Sequence, residues 1–315
     1  MTRCNMMESN PPLLQHYGAL LLNSAEGPKI KGSKDQTEPL MDDCELPLID
    51  LSGLSSSNER ERLACSSAIC RASSEWGFFQ VVNHGINPDL LRKIRREQVK
   101  LFELPFEKVT CGLLNNSYRW GTQTATRPKQ FSWSEAFHIP LNKISEAACW
   151  GEFTSLSGYR EVIQEFAAAT LKLSWLLAGI LAENLGYPQN AFEEICDAST
   201  YQVGGLQLMK DSKWVTVKPN PDALIVNIGD LFQAWSNDVY RSVQHKVMAN
   251  DKMDRYSTAY FLCPSYDTLI GSGKEPSMYR KFTFGEYRSQ IQEDVKEIGH
   301  KIGLPRFIRE DTDIH

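Results

Sequence analysis

From Ser157 to Leu185 apolar residues return at every third or fourth position: Tyr159, Val162, Ile163, Phe166, Leu173, Leu176, Leu177, Ile180 and Leu181. That spacing covers about eight turns and predicts a long helix that buttresses a sheet, closed by Gly186 and Pro188. After residue 200 the period shortens. Leu206–Met209, Trp214–Val217, Ala223–Ile228, His245–Val247 and Tyr256–Leu262 read as short strands, punctuated by Asp211-Ser-Lys213, Pro219-Asn-Pro-Asp222 and Asn250-Asp-Lys252. Strands of that length and spacing predict a sandwich or jelly roll.

Upstream, Leu46–Leu51 predicts a strand and Asn58–Trp76 a helix, with Glu59, Arg60, Glu61 and Arg62 outward and Leu63, Ile69 and Cys70 inward. Gly77 stops that helix, Phe78–Asn83 reads as a strand, and Asn87-Pro88 caps a helix that runs to Leu104 before Pro105. A polar helix is expected near Phe284–Ile302. Residues 1–43 show no sustained period beyond Ala19–Leu22 and read as a mostly disordered tail. The organisation expected is a tail over 1–43, an N-terminal region over 44–150, buttressing helices over 151–195 and a β domain over 196–310.

Composition narrows the class of function. The 315 residues are 42% hydrophobic and 23% charged, ample for a buried core. A net charge of −5 with no long basic block argues against nucleic acid as a partner. The longest near-continuous apolar run, Trp175–Ala182, falls short of the ~20 residues that cross a bilayer, so no membrane partner is expected. The eight cysteines form no C-x-x-C pair. The chain therefore reads as a soluble intracellular protein, cytoplasmic or nuclear, with reduced thiols.

No phosphate-binding glycine loop and no nucleophile elbow occurs. Of the six histidines, His245 falls among strands, where a histidine serves either as a hydrogen-bonded core residue or as a metal ligand. Arg255 lies ten residues on, beside Ser257. On a strand facing inward, its guanidinium would demand an anion such as a carboxylate; facing outward, it would be an ordinary edge residue.

Glu75–Ile86 (EWGFFQVVNHGI), Gly204–Leu208, Asn227–Asp230, Trp235–Asn237, His245–Val247 and Arg255–Ser257 together resemble the plant Fe(II)/2-oxoglutarate-dependent dioxygenases. Ser117–Gly121 (SYRWG) and Ser134–Pro140 (SEAFHIP) are similar to the gibberellin 2-oxidases that act on C20 gibberellins. The resemblance implies an α+β fold with a double-stranded β-helix (jelly-roll) core, incomplete here, preceded by an N-terminal helical region and the long buttressing helix. It implies Fe(II) held by His245, 2-oxoglutarate as co-substrate with its far carboxylate on Arg255 and Ser257, and ascorbate as reductant. Tyr118, Arg119 and His138 would lie near the substrate, while His84 and Asp230 would be structural. An intact relative would couple decarboxylation of 2-oxoglutarate to 2-beta-hydroxylation of a gibberellin, inactivating the hormone.

One element of that pattern is absent. The family's first two iron ligands come as H-x-D, yet no histidine in this sequence is followed two positions later by Asp or Glu. Cys196–Thr200 runs almost directly into Tyr201–Gly204, and the resemblance implies that about 40 residues, three to four strands, are missing at this join. Metal binding and turnover are then expected to be impaired, with substitution by Asp211, Asp238 or another chain the route to rescue. The alternatives are a non-catalytic isoform that binds ligand or partner, and a dioxygenase acting on a flavonoid-type substrate.

Overall fold

The computed structural model describes residues 11–23, 43–110, 117–122, 125, 130–140, 157–192, 196–201, 205–250 and 252–309. The chain forms two compact units, one from Met1–Leu40 with Arg92–Gln164 and the other from Met41–Leu91 with Glu165–His315. Residues 44–91 belong to the second of these units and 92–150 to the first.

The β unit holds two sheets. In chain order the strands are β1 (Asp43–Cys44), β2 (Leu48–Asp50), β3 (Phe78–Val82), then β6 (Cys196–Tyr201), β7 (Leu206–Lys210), β8 (Lys213–Val217), β9 (Leu224–Asn227), β10 (His245–Val247) and β11 (Ser257–Leu262). One sheet runs β11-β6-β9-β3-β2 and the other β1-β8-β7-β10. β3 is aromatic and β-branched and is almost wholly buried, the composition of a central strand. The β7–β8 hairpin turns on Asp211 and Ser212, both at positive φ (47° and 63°), which matches the right-handed twist of its strands. Phe78 and Ile225 from the five-stranded sheet meet Leu206, Leu208 and Val217 from the other, with Leu46 alongside and Trp76, Val215 and Val243 packed around them. Each such side chain contributes roughly 1.5–3 kcal/mol on burial.

Helix α2 (Glu59–Glu75) begins at Asn58, whose side chain accepts the Arg60 amide, and is capped by Trp76 just before Gly77. Gly77 has φ +63°, and a Cβ there would lie 2.1 Å from the Arg241 carbonyl oxygen. Leu63, expected inward, is 60% exposed, because the buried face of α2 runs through Cys65, Ile69, Cys70, Ala72 and Ser73. Helix α3 (Pro88–Phe102) starts with the Asp89 amide donated to Asn87 Oδ1. Between α3 and the next long helix lie α4 (Phe106–Thr110) and the hairpin of β4 (Tyr118–Trp120) with β5 (Glu135–Phe137).

The long helix, α5 (Ser157–Asn184), forms where the three-four spacing places it. Leu173, Leu177 and Leu181 are buried, but Leu176, counted in the same three-four spacing, is 48% exposed. By length and composition Gly158–Asn184 is apolar enough to cross a membrane; 61% of its most apolar 18-residue stretch is buried within the fold, as in a core helix. Short α6 (Asp230–Trp235) lies within the β unit. A two-strand sheet of β12 (Leu269–Ile270) and β13 (Phe282–Thr283) precedes α7 (Phe284–Ile298). That last helix stops four residues short of Ile302, because Gly299 adopts φ +82° and caps it.

The reading of 1–43 as a tail is corrected over Leu13–Asn23, which forms helix α1 with Tyr17 fully buried. The rest of that tail, apart from 11–12 and 43, and residues 202–204 of the join lie outside the described residues.

Candidate functional site

His245 opens β10 and pairs with Leu208 of β7. Its Nδ1 sits 3.1 Å from the Val243 carbonyl oxygen, and its ring meets Phe78 edge-on at 5.1 Å. A proton on Nδ1 donated to that carbonyl leaves the Nε2 lone pair available, and the side chain is exposed. The ring is thus held between the Val243 carbonyl and Phe78, a core residue of the inter-sheet packing.

Three residues on, the Met248 amide donates to the Gly205 carbonyl at 2.8 Å. Gly205 has φ +121°, and a Cβ on it would meet Met248 O at 2.8 Å, Arg255 Cδ at 3.5 Å and Arg255 Nε at 3.6 Å. Glycine here lets the end of β10 and the stem of Arg255 approach one backbone. Arg255 is half-buried and its Nη1 lies 3.4 Å from Ser257 Oγ. The structure therefore brings Arg255 and Ser257 together beside the end of the strand that carries His245. A planar guanidinium next to a hydroxyl suits a carboxylate, which accepts hydrogen bonds from both.

Among the described residues no group of three or more His, Cys, Asp or Glu side chains is placed to hold a metal ion. Asp238 accepts the Tyr279 hydroxyl and the Gln233 amide, and Asp211 sits in the β7–β8 turn. One histidine without a carboxylate does not fit Fe(II), which takes two histidines and a carboxylate on one face in this chemistry.

In the other unit, Tyr118, Arg119 and His138 share the β4–β5 hairpin. Tyr118 is 5% exposed and donates to Glu135 Oε1 at 2.5 Å. Burial, with the hydrogen bond and charge of Glu135, pushes its phenol well above the ordinary range. Tyr118 is therefore part of the packing, between Phe106 and Phe137. Arg119 and His138 are exposed; an Arg119 guanidinium N–H donates to the Tyr118 carbonyl and the His138 amide to that of Ser117. His84 is half-buried, accepts the Ile86 amide at Nδ1, and burial lowers its pKa.

Sequence reasoning set Asp230 aside as structural without seeing what surrounds it. Its carboxylate receives Ser242 Oγ at 2.6 Å, Tyr287 OH at 2.5 Å and Lys301 Nζ at 2.7 Å. Burial raises its pKa, but the charge of Lys301 and the three hydrogen bonds more than offset this, so the carboxyl is held below its usual value. No local motif announces these partners, which come from segments far along the chain.

The 2OG-Fe(II) oxygenase superfamily matches residues 195–264, and the N-terminal region of non-haem dioxygenases, described from morphine synthesis, matches 46–154. Gibberellin 2-beta-dioxygenase 6 of Oryza sativa subsp. japonica is 50% identical, over 85% of this chain and 86% of its own length. Gibberellin 2-beta-dioxygenase 8 of Arabidopsis thaliana is 44% identical, over 95% of this chain and 98% of its own. Among solved structures, JOX2 in complex with 2OG, Fe and JA superposes with a TM-score of 0.66 at 29% identity, covering 81% of this chain and 87% of that one. The rice dioxygenase for auxin oxidation, at 23% identity and a TM-score of 0.68, covers 84% and 100% and supports the double-stranded β-helix fold. Two packed sheets, an Arg255–Ser257 pair beside the His245 strand and this similarity over most of the length have one reading: the chain belongs to the plant 2-oxoglutarate/Fe(II)-dependent dioxygenases, an oxidoreductase family, and within it resembles the gibberellin 2-beta-dioxygenases.

Proposed function

We propose that this chain is a gibberellin 2-oxidase-type protein that has lost two of its three iron ligands and does not turn over. The observation that carries the reading is His245: oriented for a metal, exposed, and without an H-x-D anywhere in the sequence. The alignment with the 44% identical relative spans 343 positions, more than the 315 residues of this chain, which supports an internal segment without counterpart here. Gibberellin as the ligand class follows from the relatives and from the Ser117–Gly121 and Ser134–Pro140 segments. Arg255 and Ser257 keep the means to hold the far carboxylate of 2-oxoglutarate. Without a metal to chelate its other end, that binding is weak, and ascorbate has no iron to keep reduced. The working compartment is the cytoplasm.

A non-catalytic role gains support from the sheet ends. Among the described residues, β10 and β11 each close one end of a sheet. Such ends present unpaired backbone groups to another chain.

The test is succinate formation from 2-oxoglutarate by the 315-residue chain with Fe(II), ascorbate and a C20 gibberellin, beside a version with the absent segment restored from a relative. The expected result is product only from the restored chain. Comparable rates from both would overturn the proposal.

A further inference from the structure

Tyr17 of α1 is wholly buried, although it lies in a segment that the sequence presents as a tail. Its ring stacks on Phe131, with centroids 4.1 Å apart and 10° between planes, and meets Trp133 edge-on at 5.3 Å. Its hydroxyl accepts the Thr122 amide at 2.5 Å and the Ser132 amide at 3.3 Å, and donates to the Ser132 carbonyl at 3.0 Å. The one donor and two lone pairs of a phenol are then all used. Gly121 has φ +54°, and a Cβ there would sit 2.7 Å from the Tyr17 hydroxyl and 2.9 Å from Leu13 Cδ2. Neighbouring His16 packs edge-on against Trp120 of β4 at 5.4 Å.

Thr122 follows β4 and Ser132 precedes β5, so a single hydroxyl ties together the two ends of the connection between these strands. That tie matters because the strands are three residues each. A hairpin this short is marginal alone, and a long connection adds closure entropy. We propose that α1 is a clasp and that Tyr17 is the positioning residue of the β4–β5 hairpin, holding Arg119 and His138 where a gibberellin would meet them. The gibberellin part rests on the proposed function; the clasp does not.

Amide hydrogen exchange on the full chain carrying Tyr17→Phe tests it. Losing the oxygen should speed exchange at Thr122 and Ser132 about five- to tenfold, the size of one hydrogen bond, with α5 and β7–β9 amides unchanged. Gly121→Ala should cost less stability in the Tyr17→Phe background than alone, because the added methyl no longer meets the tyrosine oxygen. Gibberellin affinity, by titration calorimetry without denaturant, should fall in Tyr17→Phe, whose urea midpoint drops with the lost hydrogen bonds while the chain stays folded under the titration conditions. Unchanged protection at Thr122 and Ser132, or additive losses in the Gly121 pair, would overturn the clasp. Altered protection with unaltered gibberellin affinity would overturn the positioning role. A wild-type chain that binds no gibberellin defeats the ligand reading, and the exchange result still decides the clasp.

Discussion

Replacing Asp230 by Asn keeps the shape of the side chain and removes its charge, so it isolates what that carboxylate does. Oδ1 of the amide can still accept from Ser242. The other position becomes an N–H, which confronts the Tyr287 hydroxyl, itself a donor in the native contact. Tyr287 is 6% exposed, so one buried donor loses its acceptor, at about 1–3 kcal/mol. Lys301 is 48% exposed and can turn to water, so its ion pair contributes at most about 1 kcal/mol. The expected loss is about 2–3 kcal/mol, read as a lower urea midpoint with unchanged slope at neutral pH. Tyr287→Phe should restore part of it, since the stranded hydroxyl is then gone. The native carboxyl is held below its unfolded value of 3.8, so its stabilisation is complete above that pH and is lost as pH falls through the lower native value. The gap between wild type and Asp230→Asn should therefore be flat at neutral pH and narrow below about pH 4. A loss under about 0.5 kcal/mol, or fully additive effects of the Asp230 and Tyr287 substitutions, would refute the reasoning.

The two faces of α5 should separate cleanly: Leu177→Ala, at a 2% exposed site, should cost about 2–5 kcal/mol, and Leu176→Ser, 48% exposed, within about 0.5 kcal/mol, both by urea unfolding. Gly77→Ala should destabilise by at least about 2 kcal/mol, since φ is +63° and its methyl would meet the Arg241 carbonyl; thermal unfolding reads this directly. Leu208→Ala, between the two sheets, should also cost about 2–5 kcal/mol and loosen the β7–β10 pairing, visible as faster exchange of the Lys246 and Met248 amides, which face β7.

What the sequence disclosed was mostly local or periodic. The spacing of α5, the Asn58 and Asn87 caps and the Asp211-Ser212 turn each encode a conformation within a few residues, and the structure has them where that chemistry places them. Errors arose where a distant contact decides. Tyr17 has no reason to be buried until Thr122, Phe131 and Ser132 surround it. Leu63 and Leu176 are apolar by type and exposed by geometry. At the candidate site, His245, Arg255 and Ser257 are named by the family resemblance alone, and the structure adds that Arg255 lies against Ser257. The role of Gly205 in letting Arg255 approach, and the burial of Tyr118 against Glu135, depend on backbone paths that no motif spells out.

The central proposal is that this chain, without an H-x-D, does not hold iron, and metal stoichiometry tests it most directly. The purified chain would be loaded anaerobically with Fe(II) and 2-oxoglutarate, passed over a desalting column and assayed for iron per chain. The account expects a value near zero, unchanged by His245→Ala. One iron per chain, lost on His245→Ala, would contradict it and would require ligands among residues described here as structural.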